Sequence, residues 1–160
     1  MSRIYLVQHG EAVPKTANPD RPLTENGVRA VTGMAAFLAG SGVEVDRIFH
    51  SGKLRAEQTA GILARALVPG GETRAIKQLN PNDPVPDFTE KLDTYGTGSM
   101  FVGHCPFMEK LAAYLVCADE TKGLLVFTPG TVVCLHDSGP GGWYVEWMLR
   151  PELISRGAEK

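Results

Sequence analysis

Two continuous apolar runs, Ile4-Tyr5-Leu6-Val7 and Met100-Phe101-Val102, constrain the fold of this chain more than any other feature. A strand with one face in water alternates apolar and polar residues. A run that is apolar throughout is buried on both faces, and that is the habit of strands in a parallel sheet covered by helices. The segments between the runs read as those helices. Thr24 can cap a helix whose face is Val28, Val31, Ala35 and Leu38, stopped by Gly40 and Gly42. A helix from about Lys53 to Leu67 should bury Thr59, Ile62, Leu63, Ala66 and Leu67. Val85, Phe88, Leu92 and Tyr95 line one face of a third, and Pro106 suits the first turn of a fourth carrying Met108, Leu111, Ala112 and Leu115. Val45–Phe49 and Arg74–Ile76 read as further strands. Thr131–His136 and Tyr144–Leu149 read as a hairpin across Ser138–Gly142, which makes one edge strand antiparallel. The expected architecture is a three-layer α/β/α fold with a mostly parallel central sheet. Residues 1–150 form one domain and residues 151–160 a surface extension.

Composition narrows the function classes. A chain of 160 residues suits one ordinary domain with a full core. A net charge of -2 gives no global attraction to nucleic acid or to acidic membranes, so neither is expected as a partner. The 3 cysteines fit no metal spacing and no disulfide framework. No metal or other cofactor is expected. The first apolar run is too short for a signal peptide or a membrane span, which places the chain in the cytoplasm.

Both apolar runs end in a glycine–histidine pair, His9-Gly10 and Gly103-His104. In open α/β sheets ligands bind beyond the carboxyl ends of the strands. Both histidines therefore project from the functional edge, where the adjacent glycines let backbone approach a ligand. The helix after Pro106 aims its positive end there, which favours an anion. Arg55 starts the helix after a third strand, on the same edge. Two histidines and an arginine suit a phosphoryl group. It carries about two negative charges at neutral pH. Arginine grips it bidentately and never loses its charge. A neutral imidazole can attack phosphorus while a second donates hydrogen bonds.

Four blocks then resemble the histidine phosphatase superfamily. Leu6-Val7-Gln8-His9-Gly10-Glu11-Ala12 is similar to its Arg-His-Gly signature, and Arg21-Pro22-Leu23-Thr24-Glu25-Asn26-Gly27 to its loop and helix start. Ser51 to Ala60 resembles its Ser-Pro-x-x-Arg-Ala-x-Gln-Thr-Ala block, and Val102-Gly103-His104-Cys105-Pro106 its Val-Gly-His-Asn-Pro block. The short chain resembles the compact SixA branch, whose members remove phosphate from phosphohistidine in proteins. The resemblance implies that His9 is the nucleophile, that Arg55 and His104 bind phosphate, and that Arg21 reaches the pocket. Gln8 and Gly10 stand at phosphate-binding positions, and Glu11 lies near them. The implied partner is a phosphorylated protein, such as a phosphohistidine domain of a signalling or phosphotransfer system, with phosphate itself as the anion held.

The departures leave alternatives open. Gln8 stands where the family has a phosphate-binding arginine; its amide donates but carries no charge. Gly52 replaces proline and Cys105 replaces asparagine. No proton donor for an alkoxide leaving group is evident, Asp83 being the nearest loop carboxylate, which favours a phosphoramidate over a sugar phosphate. The readings are a phosphohistidine phosphatase, a phosphate- or phosphohistidine-binding module with little turnover, and a small-molecule phosphomonoesterase or mutase. His50, His136 and Lys53 read as structural or solvated.

Overall fold

The computed structural model describes residues 2–158. It contains six strands, β1 (Ser2–Gln8), β2 (Arg47–His50), β3 (Thr73–Ala75), β4 (Ser99–Gly103), β5 (Val132–Asp137) and β6 (Trp143–Leu149). Six α-helices join or follow them: α1 (Glu25–Gly40), α2 (Leu54–Leu67), α3 (Val85–Thr89), α4 (Leu92–Tyr95), α5 (Phe107–Cys117) and α6 (Pro151–Ala158). The strands form one sheet in the order β3-β2-β4-β1-β5-β6. β3, β2, β4 and β1 are parallel, and β5 is antiparallel to both β1 and β6. The reversed strand is therefore the last but one; the hairpin turns β6 back into the common direction at the edge.

The two non-alternating runs are central, and their successive side chains enter opposite layers. Tyr5, Val7, Met100 and Val102 pack with Val31, Met34 and Leu38 of α1 and with Ala56, Ala60, Leu63 and Ala64 of α2. Ile4, Leu6 and Phe101 pack with Phe88 of α3, Leu92 of α4 and Phe107, Met108 and Leu111 of α5. Phe88 meets both Phe101 and Phe107 edge-on, at ring-centroid distances of 5.0 and 5.8 Å.

Helix details depart from the apolar pattern for packing reasons. Val28 is 43% exposed, and Gly27 takes the buried place. A Cβ on Gly27 would lie 2.2 Å from the Glu11 carbonyl oxygen, so only glycine admits this approach of chain to helix. In α2 the alanines 56, 60 and 64 make the buried stripe, Ala66 is exposed, and Ile62 and Leu67 are half-buried flanks. The third helix expected from Val85 to Tyr95 is two short ones; Lys91 N–H bonds back to the Phe88 carbonyl, three residues away, tightening the chain at the break. Residues 151–158, read above as a surface extension, form α6. Pro151 is buried and Ile154 packs against the layer that holds α1. Residues 159–160 of that extension lie outside the described residues.

Candidate active site

β1 and β4 are neighbours in parallel register, with Gln8 opposite Gly103. The next residue of each strand, His9 and His104, therefore leaves the sheet beside the other. Their ring centroids lie 5.0 Å apart with the planes tilted by 56°. The rings are buried, His9 at 9% and His104 at 1% exposure. β2 flanks β4, and the turn after it brings two more side chains in. Ser51 Oγ lies 2.7 Å from His104 Nε2, and Arg55 Nε donates to His9 Nε2 at 3.2 Å.

The protonation pattern of His9 follows from its partners. Nδ1 lies 2.7 Å from the Gly10 carbonyl oxygen, which can only accept, so Nδ1 carries the proton and Nε2 keeps its lone pair. That contact belongs to a closed circuit. Arg55 donates to His9, His9 to the Gly10 carbonyl, the Gly10 N–H to Thr59 Oγ1 at 3.0 Å, and the Thr59 hydroxyl to the Arg55 carbonyl at 2.7 Å. Burial, with Arg55 and Arg21 nearby, lowers the His9 pKa to about 4, against the pull of the Gly10 carbonyl. Burial also lowers His104 to about 3, helped by His9, Arg55, Lys53 and Arg21. Both rings are neutral at pH 7. His104 Nδ1 is buried and has no hydrogen-bond partner among the described residues.

The other expected residues separate. Arg21 lies close enough to act by its charge on both histidines and on Arg55; it sits at φ 50°, and its Nε donates to the Val13 carbonyl at 3.1 Å. Gln8 lies beside the pair, its Oε1 3.6 Å from Cys105 Sγ. Gly10 contributes through its carbonyl, since its N–H is already engaged by Thr59. Glu11 turns away, accepting from the Thr24 hydroxyl at 2.7 Å where that residue caps α1. Asp83 accepts the Asn80 N–H at 2.8 Å and closes its own loop. His50 accepts the Gly52 N–H at 3.1 Å and shapes the β2–α2 turn. Gly52 has φ 87°, which proline cannot adopt, so this turn departs from the family's in conformation as well as in sequence.

Ser51 and Thr59 are members of the site that the sequence did not single out. Both stand in the block around Arg55, and Thr59 read simply as helix core. Among the described residues no group of three or more His, Cys, Asp or Glu side chains is placed to hold a metal ion. A separate groove of about 630 Å³ beside β3, lined among others by Arg47, Arg74 and Tyr95, shares no residue with this site. No helix among the described residues is long and apolar enough to cross a membrane.

Comparisons with known proteins point to one family. The family model for the histidine phosphatase superfamily, branch 1, matches residues 4–80. Phosphohistidine phosphatase SixA of Escherichia coli (strain K12) is 30% identical over 154 residues, covering 93% of this chain and 94% of that one. A solved structure of the protein histidine phosphatase SixA complexed with tungstate matches with a TM-score of 0.83 at 25% identity, over 95% of this chain and 99% of that one. The alpha-ribazole phosphatase from Shigella flexneri, 16% identical, shares the fold with a TM-score of 0.73 over 93% and 96% of the two chains. With a full-length relative at this identity and the histidine pair on adjacent strand ends, the chain belongs to the histidine phosphatase superfamily as a SixA-like phosphatase.

Proposed function

We propose that this phosphatase hydrolyses phosphohistidine on a cytoplasmic protein, through a phosphoryl group carried transiently on His9. One observation carries the reading: His9 is neutral, its Nδ1–H is tied to the Gly10 carbonyl, and its Nε2 lone pair lies beside Arg55 and His104.

In the first step the Arg55 N–H turns from His9 Nε2 to a phosphoryl oxygen, and the freed Nε2 lone pair attacks phosphorus. The bond from phosphorus to the substrate imidazole breaks, and the departing ring keeps that electron pair. It leaves as neutral imidazole if its other nitrogen is already protonated. In the second step water attacks the phosphorus on His9, its proton passes to solvent, and phosphate departs as Nε2 regains its lone pair. Arg55 and the Gln8 amide hold the phosphoryl oxygens, Arg21 adds positive potential at the rim, and His104 lies within reach of the transferring group. Charge stabilisation by such fixed donors supplies most of phosphoryl-transfer catalysis. No carboxylate hydrogen-bonds either histidine among the described residues. A phosphoramidate suits that arrangement, because its leaving group brings its own proton, whereas an alkoxide needs a donor.

The test mixes the protein with a labelled phosphohistidine protein in excess EDTA and quenches in alkali. A base-stable, acid-labile label on His9 is expected, with release of phosphate and little action on an alkyl phosphate ester such as phosphoserine. His9→Ala should carry no label. Equal labelling of that variant would remove His9 from the mechanism, and binding of the phosphohistidine protein with neither label nor phosphate release would make the chain a phospho-ligand binder, the reading that Gln8 favours. Loss of activity restored by magnesium or zinc would overturn the metal-free scheme.

A further inference from the structure

Gln8 and Cys105, two positions where the chain departs from its family's blocks, touch each other. Cys105 follows His104 just before α5, Gln8 precedes His9 at the end of β1, and the Cys105 thiol donates to Gln8 Oε1 at 3.6 Å. We propose that Cys105 is a positioning residue for the phosphoryl site, holding the Gln8 amide with its oxygen toward α5 and its NH₂ toward the phosphoryl group. The inference rests on the phosphatase reading of the site and deepens it.

The need for such a device follows from the chemistry of residue 8. An arginine donates from every edge of its fork, so any rotamer that reaches a phosphate attracts it. A glutamine amide has one donating and one accepting end of nearly equal shape. Turned half a revolution, it sets a carbonyl lone pair against phosphate oxygens and repels them. Its orientation therefore decides the sign of the interaction.

The backbone of Gln8 cannot supply that orientation, although it is well held. Its N–H donates to the Thr131 carbonyl at 3.2 Å, and its own carbonyl accepts the Gly130 N–H at 3.0 Å. Only the side chain is free to turn. Its oxygen meets the Cys105 thiol, and its NH₂ has no hydrogen-bond partner among the described residues. The thiol is a suitable anchor because it remains protonated. Burial, reinforced by the charge of Glu109, pushes its pKa up to about 12. The half-buried sulfur donates to Oε1 from the start of α5, where the chain before the helix holds it in place. Thiols are weak donors, so the contact contributes orientation more than affinity.

The test is vanadate affinity, measured by titration calorimetry, for the wild type, Cys105→Ala, Cys105→Ser, Gln8→Ala and the Gln8→Ala/Cys105→Ala double variant. Hydrogen bonds to charged groups lead us to expect that Gln8→Ala weakens vanadate binding about tenfold or more. Cys105→Ala should lose most of the same factor, and Cys105→Ser, which keeps a donor, should stay within about threefold of wild type. In the Gln8→Ala background the loss of Cys105 should have no further effect, because a pair acting through one contact is non-additive. A merely structural cysteine would weaken binding equally in both backgrounds. If the alanine variant does not fold, Cys105→Val keeps the volume and carries the same comparison. Full vanadate affinity in folded Cys105→Ala, or additive losses in the double variant, would overturn the proposal while leaving the phosphatase reading intact. A wild type that binds no vanadate would overturn both.

Discussion

With His9 and His104 neutral, the formal positive charge facing a phosphoryl group comes from Arg55 and Arg21, with the exposed Lys53 adding to it at His104. Gln8→Arg should add a bidentate, charge-assisted contact worth roughly 1.5–3 kcal/mol. At about 1.4 kcal/mol per factor of ten, vanadate should bind about ten- to a hundredfold more tightly. If the gain is equal in ground and transition states, KM falls and kcat stays put. Unchanged vanadate affinity would show that residue 8 does not touch the anion. His9, Arg55 and His104 were legible as a group because strand ends and helix starts converge on one edge of an α/β sheet. Ser51 and Thr59 were not. A hydroxyl takes its role from whichever donor or acceptor the tertiary fold brings within 3 Å, as His104 is brought to Ser51 at 2.7 Å. Glu11 shows the reverse case, a carboxylate adjacent to the site in sequence that serves a helix cap instead.

The elements that carry these residues are locked by the circuit through Thr59, which spans the β1 end and the first turns of α2. Thr59→Val keeps the shape and removes the hydroxyl, leaving the buried Gly10 N–H unpaired. Such a loss costs about 1–3 kcal/mol. We expect urea denaturation to show that loss and rapid-quench labelling to show slower phosphoenzyme formation, with Thr59→Ser recovering most of both. A valine variant as stable and as fast as wild type would mean that the circuit does not hold the site. Periodicity recovered the identity of most elements but missed their finer packing. It weighted Ile62 and Leu67 by size, whereas α2 approaches its neighbours through Ala56, Ala60 and Ala64. The spacing of Val85, Phe88, Leu92 and Tyr95 stays inward across the break between α3 and α4, so the pattern alone could not reveal it. α6 is only eight residues long, too short for a periodic signal, and its place depends on contact with the core.

For the molecule as a whole, the buried pair links stability to pH. An unfolded chain takes up a proton on each histidine near pH 6.5, whereas the folded chain resists until about 4 at His9 and about 3 at His104. The unfolded state binds more protons in that window, so stability is fully present above about pH 6.5 and falls as the pH drops toward 4. Each histidine contributes a slope approaching about 1.4 kcal/mol per pH unit. Urea midpoints should therefore decline steadily from pH 7 to 4.5, and His104→Gln should flatten the decline. Midpoints that stay level over this range would show that both rings are more hydrated than their burial implies. The register of β1 with β4 also governs where the chain can change length through descent. Gln8 faces Gly103, and the two histidines leave the sheet as the next pair. A single inserted or deleted residue inside either strand would reverse every side chain beyond it and send one histidine to the opposite layer. The polar loop at residues 11–22 is under no such parity rule, and lengthening a surface loop is entropically mild. Relatives that acquire a larger substrate-covering segment should carry it there, while the spacing through 2–10 and 99–106 stays unchanged.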